Sequence, residues 1–251
     1  MKKLASLAAA LLAGAIAWTP SQAQTTLTIS SWLPPSHIIT KDMLMGWAKE
    51  VETATQGRVK SRLLPKAVAS PPGTFDAIRD GLADVSISVH GYTPGRFPKT
   101  EAFELPFSSG LAEPSSRAFQ EFVEKHAMDE FKDVKVIAVH LHGPGLIHSK
   151  DPVTKLDDMK GMKVRGGSRI VNIMLEQLGA TPVGMPVPAV SEALSKGVIS
   201  ATTIPWEVTP ALKVQQLVKN HTGFAGEQGL YTQTFVVAMN KSAYDKLPAD
   251  L

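Results

Sequence analysis

The 251-residue chain contains no cysteine. That excludes disulfide staples, thiolate zinc sites and Cys-x-x-Cys redox chemistry. Long apolar runs are missing as well, apart from one at the start. Lys2 and Lys3 precede the apolar stretch Leu4–Trp18, and Ser21-Gln22-Ala23 places small residues where a signal peptidase cuts. A membrane-spanning helix needs about 20 apolar residues, and this stretch is shorter. Residues 1–23 therefore read as a cleavable leader and Gln24 as the start of an exported chain with no stable membrane insertion. Removing the leader leaves 24 basic and 23 acidic residues, so there is little net charge of either sign. No basic stripe interleaved with aromatics is present, which argues against a nucleic-acid partner.

Catalytic signatures are also lacking. There is no GxSxG nucleophile elbow, no GxxxxGK[ST] phosphate loop and no GxGxxG fingerprint. Glu101 and Glu104 stand three apart, but Pro98 and Pro106 bracket them in a loop, a poor setting for an acid/base pair. His140 and His142 fall on one face of a strand, with His148 nearby in sequence. No neighbouring carboxylate completes a metal-ligand set, so a half-exposed strand edge is the reading preferred to a metal site. Neither a metal nor a cofactor is implied.

What the chain does have is regular alternation of strands and helices. Thr26–Ser30 reads as a strand, followed by a helix with Ile39, Met43, Trp47 and Val51 on one face and Gly57 beyond its end. Val59–Leu64 and Asp84–Val89 are further strands, with a short helix through Phe75, Ile78 and Leu82 between them. The order β-α-β-α-β implies a parallel sheet covered by helices. A helix from about 115 to 128, a strand Val134–Leu141 and the break Gly143-Pro144-Gly145 follow. A second α/β unit then runs from Leu146, with helices near 189–195 and 211–219 around a strand near 199–204. Tyr231–Met239 looks like a long strand returning to the first unit. The expected organisation is a leader (1–23), a first lobe (24–145, with the returning 231–251) and a second lobe (146–230).

One stretch concentrates chemistry. In Gly161–Val183 a short strand ends at Arg165, Gly166-Gly167 turn the chain, and Ser168 can cap a helix striped by Ile170, Ile173, Met174 and Leu178. Such a corner gathers free N–H groups and the positive end of a helix. Arg165 adds a planar fork suited to a carboxylate. It is not a phosphate loop, because Lys163 and Arg165 lie inside the strand.

With these pieces in order, the chain resembles the solute-binding proteins of TRAP (tripartite ATP-independent periplasmic) transporters. The resemblance is carried by Trp47–Val51 with Gln56–Val59, Arg79–Asp84 and Phe103–Phe107. It continues with Met159–Arg165, Leu178–Pro182 and Ala193–Val198, and so spans essentially the whole mature chain. It implies an α/β, two-lobed periplasmic-binding-protein fold of class II type, hinged by crossover strands, with the ligand in the interlobe cleft. It also implies capture of a small organic anion, usually a carboxylate, and delivery to sodium-driven permease membrane subunits; the alternatives are an exported hydrolase or a metal-binding periplasmic protein. Arg165 stands at the family's carboxylate-gripping position, and Gly145 where some members carry an additional arginine. The resemblance further implies helices beyond Leu251.

The pocket positions so implied hold Val89, Tyr92, Val187, Ile204 and Trp206 around Arg165. Trp32 is an aromatic at a strand end, equally readable as lobe packing or ligand contact. His37 follows a strand and could touch a ligand, although a solvated loop histidine is the plainer reading. Arg169, in the first turn of the helix, could swing in as a second clamp; it is expected instead to face solvent or an acidic neighbour. With one firm arginine and an apolar surround, the expected ligand is a monocarboxylate with an apolar or aromatic body.

Overall fold

The computed structural model describes residues 24–251, so the leader assigned to residues 1–23 lies outside the described residues. The strands in chain order are β1 (Thr25–Ile29), β2 (Val59–Leu63), β3 (Val85–Val89), β4 (Val134–Leu141), β5 (Leu146–Ser149) and β6 (Lys163–Gly166), then β7 (Thr181–Gly184), β8 (Ala201–Ile204), β9 (Asn220–Thr222) and β10 (Thr234–Asn240). They form two five-stranded sheets, β2-β1-β3-β10-β4 and β7-β6-β8-β5-β9. Helices α1 (Met45–Ala54), α2 (Thr74–Arg79) and α3 (Ala112–Phe122) cover the first sheet. Helices α4 (Arg169–Gln177), α5 (Val190–Ser195) and α6 (Thr209–Leu212) belong to the second, and α7 (Lys241–Asp245) follows β10.

Both sheets are mixed, which corrects the expected parallel sheet. β1, β2 and β3 are parallel, but β10 runs antiparallel to both β3 and β4. The reason is its route: it enters the first sheet from the second lobe, opposite to the strands laid down by local crossovers. The alternation along β10 then supplies two cores at once. Val236 and Ala238 pack with Phe75, Ile78, Phe119 and Phe131 on one face. Phe235, Val237 and Met239 pack with Ile29, Leu44, Ile87 and Val89 on the other. All seven β10 residues are buried, so this strand ties the lobe together.

Two other expectations are revised. The helix expected over 211–219 is broken at Lys213, whose φ of 53° is left-handed, leaving only α6 and a 3₁₀ turn. Tyr231, Thr232 and Gln233 precede β10 rather than opening it. They are the crossing itself, with Tyr231 packed in the second lobe's core. In that lobe one face of the sheet gathers Ile147, Val164, Val171 and Leu175, and the other Val190, Leu194, Ile204 and Leu212. No helix of the described residues is long and apolar enough to cross a membrane.

Candidate functional site

The strand–glycine–helix corner forms as its residues dictate. β6 ends at Gly166, and Ser168 accepts a hydrogen bond from Val171 N at 3.2 Å, capping α4. The two glycines are small because other side chains come too close. A Cβ on Gly166 would lie 2.0 Å from Asn172 Oδ1, and one on Gly167 2.5 Å from Gln233 Nε2. Asn172 is on α4 and Gln233 on the crossing to β10, so the corner is held from both sides.

Arg165 is buried, with 1% of its surface exposed. Its Nε donates to Met185 O at 2.9 Å and its Nη1 to Thr203 O at 3.0 Å. Its Nη2 points across the lobe boundary to the Tyr92 hydroxyl at 3.4 Å. Thr203 answers by donating its hydroxyl to Arg165 O at 2.9 Å. All three acceptors of the guanidinium are neutral, and none of the ion pairs among the described residues includes it. A guanidinium has five N–H donors, so one on each terminal nitrogen is left over, the geometry of a fork.

Tyr92 is the residue that joins the lobes here. Its hydroxyl accepts from Val187 N at 2.9 Å as well as from Arg165. Trp32 supports it, the two rings 5.9 Å apart and tilted, while the indole N–H donates to Ile87 O at 3.1 Å. Tyr231 stands on the other side. Its ring occupies the space beside Gly145, where a Cβ would come within 2.0 Å of it. No side chain fits at position 145 without displacing that ring. Burial raises the Tyr231 hydroxyl well above its ordinary pKa, against the opposing charge of Arg165, so it stays a neutral phenol.

The remaining sequence candidates scatter. Arg169 forms a bidentate ion pair with Glu101 of the first lobe, at 2.6 and 3.0 Å, and its side chain is half exposed. Val89 and Ile204 are each 1% exposed, as Arg165 is, and pack in core clusters. Trp206 opens a 3₁₀ turn after Pro205, and its ring packs 5.0 Å from His148 and 4.9 Å from His221, half exposed on the second lobe. Val187 contributes its backbone N–H to Tyr92.

His37 is not a solvated loop residue. It is buried and lines a cavity of about 480 Å³ with Met43, His140, His142, Glu207 and Phe235. His140 stacks on Phe235 at 4.7 Å, and His142 meets Tyr231 edge-on at 5.4 Å. Burial pulls His142 down to about 4, with Arg165 acting in the same direction and Glu207 against it. Burial also lowers His37, again with Glu207 opposing. Both rings are neutral at ordinary pH. A second space of about 440 Å³, lined by Tyr92, Ser168, Arg169, Asn172 and Met185, opens on the side of the glycine corner. Among the described residues no group of three or more His, Asp or Glu side chains is placed to hold a metal ion. Sequence reasoning missed Phe235 and Met43 as walls, because an apolar residue in a buried run reads the same whether it faces core or cavity. The one available signal was the His140/His142 spacing, which puts both rings on one face.

Residues 29–251 match the family profile described as bacterial extracellular solute-binding protein, family 7. Among solved structures, the chain is similar to a marine-metagenome TRAP solute-binding protein specific for aromatic acid ligands, from an unidentified microbe, in complex with 3-hydroxybenzoate. Identity is 44%, the TM-score 0.88, and the match covers 90% of this chain and 72% of that one. It is also similar to a TRAP solute-binding protein from Rhodoferax ferrireducens T118 with copurified benzoate (42%, TM-score 0.87, 90% and 72%). A third, from Bordetella bronchiseptica with (R)- and (S)-mandelate, gives 40%, a TM-score of 0.86 and the same coverage.

Proposed function

Because the chain belongs to family 7 of the bacterial extracellular solute-binding proteins, we propose that it captures a monocarboxylate with an aromatic or apolar body in the periplasm and passes it to the membrane subunits of a TRAP permease. The observation that carries this reading is the buried Arg165 guanidinium with only neutral partners. An arginine does not give up its charge on burial, and a buried cation held by two carbonyls and a phenol is strongly favoured by an incoming anion. A carboxylate placed on the fork gains two charge-assisted bonds at once.

Two features support one carboxylate rather than two. Gly145 cannot be matched by an arginine without moving Tyr231, and Arg169 is already engaged by Glu101. A second carboxylate brought into this boundary would lose its hydration without a comparable partner, at a cost of several kcal/mol. Tyr92, Trp32, Tyr231 and the cavity walled by Phe235 and Met43 suit a flat or apolar body. The solved relatives with 3-hydroxybenzoate, benzoate and mandelate carry ligands of this class. The reading has no chemical step, so ligand recovered after incubation should be unchanged.

The test is a thermal-shift panel of benzoate, mandelate, succinate and a sugar acid. A ligand of the folded state raises stability by RT ln(1 + [L]/Kd), about 2.7 kcal/mol at a hundredfold excess over Kd. The aryl monocarboxylates should give the largest shifts. A panel led by succinate or the sugar acid contradicts the proposal.

A further inference from the structure

The cavity lined by His37, His142 and Phe235 holds two buried ring nitrogens without a hydrogen-bond partner, His37 Nε2 and His142 Nε2, and the charge of Arg165 reaches His142. A buried polar atom left unpaired is costly, and in a mostly apolar cavity it marks a position that a ligand can satisfy. The two nitrogens are chemically opposite, and their neighbours fix which is which. His37 Nδ1 accepts from Ile39 N at 3.2 Å, so it carries the ring's lone pair, and the proton of the neutral imidazole sits on Nε2. His142 Nδ1 faces the carbonyl oxygen of Gly143, which only accepts, so the proton sits on Nδ1 and Nε2 carries the lone pair. One wall residue therefore offers an N–H donor and the other an acceptor. Both lie within the influence of the same carboxylate, Glu207, whose Oε1 accepts from Gly143 N at 3.0 Å.

A donor and an acceptor on one small cavity discriminate among ligand groups. A carboxylate has only acceptors and is disfavoured by the His142 lone pair. An ammonium, although Glu207 on the same cavity attracts it, has only donors and leaves the His37 N–H unpaired. A bare C–H satisfies neither. A hydroxyl accepts from one and donates to the other. We propose that His37 and His142 are specificity residues that select a hydroxyl on the body of the bound acid, accepting from His37 Nε2–H and donating to His142 Nε2. The ligand class is then a hydroxylated aromatic or aryl acid, with its carboxylate on Arg165 and its ring against Phe235 and Met43. His142 is placed for both tasks, since it packs on Tyr231, the ring next to Gly145, and feels the charge of Arg165.

This inference rests on the monocarboxylate reading above, and matched ligand pairs separate the two. Calorimetric titration of the wild-type chain compares benzoate with 3-hydroxybenzoate and phenylacetate with mandelate. In at least one pair the hydroxylated acid should bind about tenfold or more tightly, the effect of one to two neutral hydrogen bonds to otherwise unpaired groups. In His142→Phe and His37→Phe, each close in shape to the ring it replaces, that ratio should fall towards one, whatever the absolute affinity does. Equal binding within each wild-type pair, or an undiminished ratio in a folded His142→Phe variant, overturns the proposal. If neither variant keeps a native thermal transition, the wild-type ratio alone decides. If benzoate binds without any hydroxyl preference, only this inference fails. If none of the four acids binds, the monocarboxylate reading fails with it.

Discussion

Arg165 and Arg169 stand four residues apart on one corner, yet they live in opposite electrostatic surroundings. Arg169 is half exposed, in the first turn of α4, and already shares a bidentate pair with Glu101 across the lobe boundary. Arg165 is buried and holds two carbonyls and a phenol. The contrast shows why charge count alone is a poor guide to ligand charge. An exposed, paired arginine has little to gain from a second anion, because water and Glu101 already screen it. A buried, unpaired one gains a great deal. The difference comes from one residue type at two depths, set by a strand end on one side of Gly166-Gly167 and a helix start on the other.

The largest expected effect tests the buried member. Arg165→Lys keeps the charge but loses the fork, and should weaken benzoate binding by roughly a hundredfold or more, a few kcal/mol. Unchanged affinity by titration would remove Arg165 from the site. Next in size is the packing that walls it. Gly145→Ala forces a methyl against the Tyr231 ring and should cost about 1–3 kcal/mol of stability in denaturant unfolding. Adding Tyr231→Ala should leave little further effect of the methyl, since the clash is gone. Full additivity of the two changes would show that the ring does not occupy that space.

The contrast also extends to histidine, which can shed its charge where arginine cannot. His90 lies just before Tyr92, buried among Phe97, Phe119 and Phe131, and burial pulls it down to about 3. The unfolded chain therefore binds more protons than the folded one between about pH 3 and 6.5. This stabilisation is complete above the unfolded pKa and is lost as pH falls. At pH 5 the loss from His90 is of the order of 2 kcal/mol. His90→Phe should flatten that part of the pH–stability curve. A curve as steep as wild type would show that His90 is charged in the fold or exposed. The smallest effect belongs to Arg169. Arg169→Ala should change benzoate affinity by less than about threefold, because Arg169 is half exposed, is paired with Glu101 and does not touch the fork.

Much of this architecture was legible before any coordinates. Val134–Leu141 reads as a strand from its apolar run and is β4 residue for residue. Ser168 was recognisable as a cap because Ser before an apolar-periodic helix has few other uses. The strand–glycine–glycine–helix corner could be drawn from local residues alone. The reason for its glycines could not, since Gly167 is small on account of Gln233, on a distant crossing segment. Val89 and Ile204 show the limit from another side. An apolar residue near a strand end suits a core and a ligand wall equally, and both of these pack in core clusters here. The facing of the Trp206 indole is set by a 3₁₀ turn after Pro205, and no pattern of residue types encodes that. The short strands β7 and β9 went unread because three or four residues, one of them Pro182, carry too little periodicity.

The central claim is that one buried guanidinium, and not two arginines, sets the charge of the ligand. Calorimetric titration of benzoate and succinate into the wild-type chain and Arg169→Ala tests it most directly. The account predicts one benzoate bound per chain in both proteins, with succinate at least about tenfold weaker in each. Succinate binding more tightly than benzoate in the wild type, and losing that advantage in Arg169→Ala, would contradict it and make Arg169 a second clamp released from Glu101.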